Sequence, residues 1–145
     1  MGSLQVSMKT RNNGQWSEAR YASFIKSLLR KGTQKWGPKN EVLKEARVDK
    51  GVYHCNGCKM NVPVTIKVNN KRIRNVTVDH LEPIVDPAVG FTTWDEYISK
   101  MFCEKENLQV LCLECHSKKC AEERKISTER ARQQKLKQKE NNNDE

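Results

Sequence analysis

Four of the six cysteines fall into two pairs, Cys55-x-x-Cys58 and Cys112-x-x-Cys115. Two thiolates three residues apart can face one ion where the backbone turns tightly between them, and Asn56-Gly57 offers such a turn. Four thiolates close a tetrahedral shell, which suits a structural zinc and leaves no open catalytic position. Cys55, Cys58, Cys112 and Cys115 are therefore the predicted ligands of one Zn2+. Residues 1–6 carry no basic stretch followed by an apolar run, so no secretory signal is visible and the pairs read as metal ligands rather than disulfides. Cys103 and Cys120 have no partner at ligand spacing. Cys103 reads as a small buried hydrophobe and Cys120 as an exposed or half-exposed thiol. His54 adjoins Cys55 but is superfluous beside four well-spaced thiols.

A second set of residues interleaves with the later pair. Asp79-His80 and His116 each place a histidine next to another candidate metal ligand, and Asn107 stands between them at the head of an apolar run. A phosphodiester nuclease needs a base for water, a metal for the leaving oxygen and cations for the backbone. Asp79 and His80 are consecutive at the end of a predicted strand, so a regular strand sends them to opposite faces. One can then bind metal while the other faces substrate. His116 follows a zinc ligand at the start of a predicted helix, so the zinc would fix its position.

Taken together, Cys55-x-x-Cys58, Asp79-His80-Leu81-Glu82-Pro83 and Asn107-x-x-x-Leu111-Cys112-x-x-Cys115-His116-x-x-Lys119 resemble the HNH endonuclease family in its four-cysteine, zinc-bearing branch. The likeness covers about residues 53–120. Leu81 stands where isoleucine is commoner, a conservative departure. The resemblance implies a ββα-metal fold around one divalent ion, Mg2+ or Mn2+. It implies His80 as the general base, Asp79 and His116 as ligands of the catalytic ion, and Asn107 as the residue that orients the loop carrying His80 or assists the metal shell. The implied reaction is hydrolysis of double-stranded DNA to 5′-phosphate and 3′-hydroxyl ends, a double-strand break calling for a homodimer or two encounters. The small size and the basic helical arm are similar to phage-encoded homing or free-standing HNH nucleases, which implies the cytoplasm of a bacterial host.

Several elements must position these residues. Residues 1–15 read as a loose polar arm with a turn at Asn12-Asn13-Gly14. Tyr21, Phe24, Ile25, Leu28 and Leu29 recur at helical spacing, with Ser17 to cap the helix and Gly32 to stop it. After the break at Gly37-Pro38 a short helix is expected over 40–48. Val62, Val64, Ile66 and Val68 alternate as a strand, Asn69-Asn70 turns, and residues 73–78 are expected to return as its partner. Thr93 and Glu96 form a capping-box pattern before the helical stripe Trp94, Tyr97, Ile98, Met101 and Phe102. A short strand over 107–111 and a helix from Leu113 or Cys115 follow. Residues 121–140 suit an exposed helix, and 141–145 suit disorder.

The predicted fold class is α+β: a small ββα-metal core stapled by zinc, with a helical basic N-terminal arm and a charged C-terminal tail. The expected divisions are 1–50, 51–120 and 121–145. Hydrophobic residues make up 36% and charged residues 31%, lean enough that a core of this size calls for a staple. The net charge of +9 is uneven. Residues 1–50 hold 11 Lys/Arg against 4 Asp/Glu, residues 51–115 hold 7 against 8, and residues 116–145 hold 9 against 6. Basic flanks around a near-neutral centre suggest arms that grip a polyanion while the centre does the chemistry. No stretch is long and apolar enough to span a membrane, and an intracellular setting is expected. The alternatives are a non-catalytic zinc-stabilised DNA-binding module, in which Asp79-His80 is only a polar strand end, and a zinc-stabilised protein-interaction module. The last needs an exposed apolar patch that the sequence does not display.

Overall fold

A computed structural model describes residues 8–143. The amino-terminal part of the expected arm (1–7) and the last two residues of the expected disordered tail lie outside the described residues. The chain divides into two compact units, Met1–Lys35 and Trp36–Glu145.

The first unit is more ordered than a loose arm. β1 (Lys9–Arg11) and β2 (Trp16–Ser17) pair antiparallel. Asn12, Asn13 and Gly14 all have positive φ, a conformation that these residue types tolerate best. Ser17 then caps α1 (Glu18–Gly32) by accepting from the Arg20 amide. Glu18 in the first turn accepts from the Thr10 hydroxyl at 2.6 Å and from Arg11 Nε at 3.0 Å, which ties the hairpin to the helix. Arg11 lies over the Tyr21 ring, Arg20 over Trp16, and Trp16 meets Phe24 edge-on. No residue of α1 is buried, so its apolar stripe forms only half-covered contacts.

The second unit holds the core. α2 spans Gly37–Ala46, three residues earlier than expected, because Pro38 fits the first helical turn. Residue 48 is not helical: β3 (Arg47–Asp49) leads through Gly51, at φ +70°, into β4 (Val52–His54), which also pairs with β5 (Asn61–Pro63). Trp36 and α2 belong to the second unit, where α2 packs on β8 and β9. Trp36 is held there by donating from Nε1 to the Cys103 carbonyl at 2.7 Å and meeting Phe102 edge-on.

β6 (Thr65–Val68) and β7 (Lys71–Arg74) form the expected hairpin around Asn69-Asn70, both at positive φ. The return strand, however, does not run on to 78. At Asn75 the chain leaves the hairpin, and β8 (Val76–His80) pairs with β9 (Leu108–Cys112) instead. Asn75 is the pivot. It is buried; its Nδ2 donates to the Pro63 carbonyl, its amide to the Val64 carbonyl, and its own carbonyl accepts from Leu113 N.

Between β8 and β9 lies α3 (Trp94–Met101), capped by the Thr93 hydroxyl. α4 (Leu113–Asn143) begins directly after β9 and is continuous across both 120 and 140, so residues 141–143 are helical rather than disordered. Its distal part is not wholly free. Arg130 donates to the Pro87 carbonyl at 3.1 Å and lies against Gly90, where a Cβ would stand 2.7 Å from the guanidinium. Among the described residues, no helix is long and apolar enough to cross a membrane.

The described core is small: Cys55, Val76, Tyr97, Met101, Leu108, Val110, Leu111 and Cys112. Met101, at 2% exposure, is among its largest fully buried side chains. Met101→Ala is expected to lower unfolding free energy by about 2–5 kcal/mol. Urea denaturation checks this, and a loss below about 1 kcal/mol would show that the site collapses without cost.

Candidate functional site

The first centre is the cysteine cluster. The Sγ atoms of Cys55, Cys58, Cys112 and Cys115 all lie within 4.8 Å of one another. Tetrahedral Zn–S bonds near ~2.3 Å put the sulfurs at closely similar separations, so the four thiols fit one structural metal ion of the zinc type. β4 delivers Cys55, β9 ends on Cys112, and the first turn of α4 carries Cys115. The knuckle closes by Cys55 N donating to the Met60 carbonyl and Lys59 N to the Cys55 carbonyl, both at 2.9 Å. The left-handed residue in it is Lys59, at φ +62°, not Gly57. Gly57 matters for space: a Cβ there would stand 2.9 Å from both Cβ and Sγ of Cys115.

The thiols are electrostatically unequal. Burial pushes the Cys55 thiol up, but amides of Cys112, Cys58 and Gly57 aimed at it prevail and bring it down to about 6. Cys115 goes the other way, to about 12, because it hydrogen-bonds to Cys112, is desolvated, and faces Cys55. Four thiolates this close repel one another unless a cation neutralises them. His54 is outside the cluster; its Nδ1 meets Asn61 Oδ1 at 3.1 Å.

The second centre lies at the end of the β8–β9 ribbon. Asp79 Oδ1 is 3.8 Å from His116 Nε2. Asp79 Oδ2 accepts from Lys119 Nζ at 2.5 Å and from Gln109 Nε2 at 3.2 Å. Lys119 Nζ also donates to the His80 carbonyl, and Glu123 lies 3.8 Å from it. His80 is next in the strand, and its ring goes to a different neighbour: Nε2 is 3.0 Å from the Met101 carbonyl. A carbonyl can only accept, so Nε2 donates, and in the neutral ring Nδ1 keeps its lone pair. Asn107 closes the loop that follows. Its carbonyl accepts from Leu81 N at 2.9 Å and its Oδ1 from Glu82 N at 3.1 Å.

Asp79 and His116 are thus brought together, His80 faces the carboxyl end of α3, and Asn107 holds the two residues after His80. Gln109 has a place here that the sequence alone does not assign, and Lys119, seen in the sequence only as part of a motif, gains a partner. Gln109 is directly opposite Asp79 in the ribbon register, and its Oε1 accepts from Asn56 Nδ2 at 2.8 Å. Its signal is its position as the polar residue inside the run Leu108-Gln109-Val110-Leu111. Lys119 is three residues after His116, one helical turn on, and so shares its face. Cys103 and Cys120 are both half-buried, Cys120 Sγ lying 3.6 Å from His116 Nε2. No family model, curated protein or solved structure matches this chain.

One zinc per chain is expected by elemental analysis. Ser at Cys55, Cys58, Cys112 or Cys115 should lose both metal and fold, given apparent binding energies of ~10–16 kcal/mol for such sites. Gly57→Ala should release zinc to a chromogenic chelator more readily than wild type does. A folded, metal-free wild-type protein would end this assignment.

Proposed function

We propose that this chain is a divalent-metal-dependent endonuclease of HNH type acting on double-stranded DNA. The observation that carries the reading is the division of Asp79 and His80 at the end of β8. One joins His116 at 3.8 Å, and the other holds its ring through Nε2 on the Met101 carbonyl, which in the neutral tautomer that donates there leaves the lone pair to Nδ1. Asp79 Oδ1 and His116 Nε2 are a hard oxygen and an imidazole nitrogen at a separation two ligands of one ion can adopt. Oδ1 has no hydrogen-bond donor among the described residues, while Lys119 and Gln109 hold Oδ2.

In this reading Asp79 and His116 hold Mg2+ or Mn2+, which when bound stabilises charge on the phosphate and the leaving 3′ oxygen. His80 accepts a proton from water at Nδ1, and the Met101 carbonyl keeps the ring oriented and partly compensates the charge that develops. Asn107 holds Leu81 and Glu82 and so fixes the strand end. The products are a 5′-phosphate and a 3′-hydroxyl. Basic residues of α1, among them Arg30 and Lys31 in its last turn, supply phosphate contacts.

The second reading, a zinc-stabilised DNA-binding module without catalysis, is favoured by Lys119. Its ammonium neutralises Asp79 as it would in a purely structural polar network. Supercoiled plasmid, incubated with and without Mg2+ or Mn2+, separates the two. The nuclease reading expects metal-dependent nicking or linearisation that falls by about 10²–10⁴ in His80→Ala with DNA and ion binding retained. His116→Ala is expected instead to raise the ion concentration for half-maximal cleavage by about tenfold or more, with partial rescue by excess metal. Zinc-loaded wild type that binds DNA and never cuts it leaves the binding module as the function.

A further inference from the structure

We propose that the β6–β7 hairpin is a second DNA-contacting element, a basic ribbon that grips the duplex backbone from the Val76 end of the strand whose other end carries Asp79 and His80. The inference rests on the nucleic-acid reading above and adds to it a surface in the compact second unit.

The hairpin carries Lys67, Lys71, Arg72 and Arg74 in eight strand residues, and no acid. This concentration is local. Without those four, residues 51–115 hold only 3 Lys/Arg against 8 Asp/Glu, so the cluster stands out from an acidic surrounding. The register sharpens the point. Lys67 is directly opposite Arg72, and Thr65 opposite Arg74, so Lys67, Arg72 and Arg74 share one face. Directly opposed residues have Cβ atoms ~4.5–5.5 Å apart, and like charges there destabilise a hairpin. No carboxylate among the described residues lies within ion-pair distance of Lys67, Lys71, Arg72 or Arg74. Arg74 is exposed, and its Nε donates to the Val76 carbonyl. A repulsive cationic pair with no internal counter-charge is what a polyanion relieves on binding.

The opposite face explains why the ribbon presents itself this way. Ile66 pairs with Ile73, both half-buried, and Ile66 lines a groove with Val62, Asn75 and Leu113. The apolar face thus fixes the hairpin to the body and turns the cationic face out. Four residues at ~3.3 Å each make a two-stranded ribbon about 13 Å long, a size the DNA major groove admits. The chain passes from Arg74 through the buried, triply bonded Asn75 straight into β8, so the ribbon base is anchored at the Val76 end of the strand that carries Asp79 and His80.

The test is fluorescence anisotropy of a labelled duplex with the full zinc-loaded chain, in Ca2+ to avoid cleavage, over a KCl series. Lys67→Gln/Arg72→Gln is expected to weaken binding at least about tenfold near physiological salt and to reduce the salt slope by about 2, close to one for each phosphate no longer neutralised. Lys67→Arg/Arg72→Lys is expected to keep both values, and the neutral variant to melt no lower than wild type, since repulsion is removed. Unchanged affinity and slope in the neutral variant overturn the proposal while leaving the nuclease reading intact. So does a drop of several degrees in its melting temperature, which would make the pair structural. Polyglutamate that displaces DNA as well as unlabelled duplex does, charge for charge, overturns it in favour of an acidic polypeptide. Wild type that binds no duplex at any salt removes this proposal and the nucleic-acid reading together.

Discussion

The interaction on which the second unit depends is the closure of Cys55 and Cys58 onto Cys112 and Cys115. The two pairs stand far apart in the chain, and the segment between them is a loop that the cluster ties off. Only eight apolar residues are buried among those described, and two of them, Cys55 and Cys112, are members of the cluster itself. A core this small supplies little net stability against chain entropy, so a metal held by four thiolates would act as the staple. The Cys112 amide donates to Cys55 Sγ at 3.2 Å, which orients that sulfur and offsets part of its charge.

The cluster also determines where the second centre can be. β9 ends on Cys112 and α4 starts at Leu113, so the strand and the helix that carry Gln109, His116 and Lys119 meet at the staple. A continuous set of side-chain hydrogen bonds joins the two centres. Lys59 donates to Asn56, Asn56 to Gln109, Gln109 to Asp79 Oδ2, and Lys119 to the same oxygen. Asn56 lies within the knuckle itself, so distortion of the turn would be felt at the Asp79 carboxylate. Loss of the staple is therefore felt at Asp79 through the backbone and through this network alike.

Local chemistry is legible in the sequence where one residue type has one use. The cysteine pairs, the Ser17 and Thr93 caps, the Asn69-Asn70 turn and the start of α4 after Cys112 all appear where their residues imply. The departures share a cause: tertiary pairing overrides a local pattern. Residues 73–78 continue an alternating run, but β8 gains more by pairing with the apolar β9 than by extending an exposed hairpin, and nothing local marks Asn75 as the switch. Residues 36–50 look like part of a basic arm by charge, yet Trp36 and α2 are recruited by packing on Phe102 and the ribbon. Gly57 looks locally like a turn residue, whereas its necessity comes from Cys115, 58 positions away, which no local window contains. Gln109 becomes visible as a site residue only once register places it against Asp79, and Lys119, already part of the His116-x-x-Lys119 spacing, shows its partner only once helix phase does.

The state of Asp79 bears on how the proposed chemistry would be organised. Its two oxygens have different work: Oδ2 is saturated by an ammonium and an amide, and Oδ1 faces His116. An ammonium at 2.5 Å cancels much of the carboxylate's charge, so the pull of Asp79 on a divalent ion is weaker than that of a free aspartate. Magnesium prefers about six oxygen-type ligands and gives up water reluctantly, and one carboxylate oxygen with one imidazole is too few to hold it firmly. In the proposed nuclease a phosphate oxygen of the substrate would supply a further ligand. Under the proposed function, ion and DNA would then bind with positive coupling, each raising the other's affinity by the same factor. Basic elements that hold the duplex beside the strand end would contribute to that coupling by delivering the phosphate. If the chain is the proposed nuclease, the same weak intrinsic site would spend little time loaded without DNA, which would keep it from hydrolysing at random encounters.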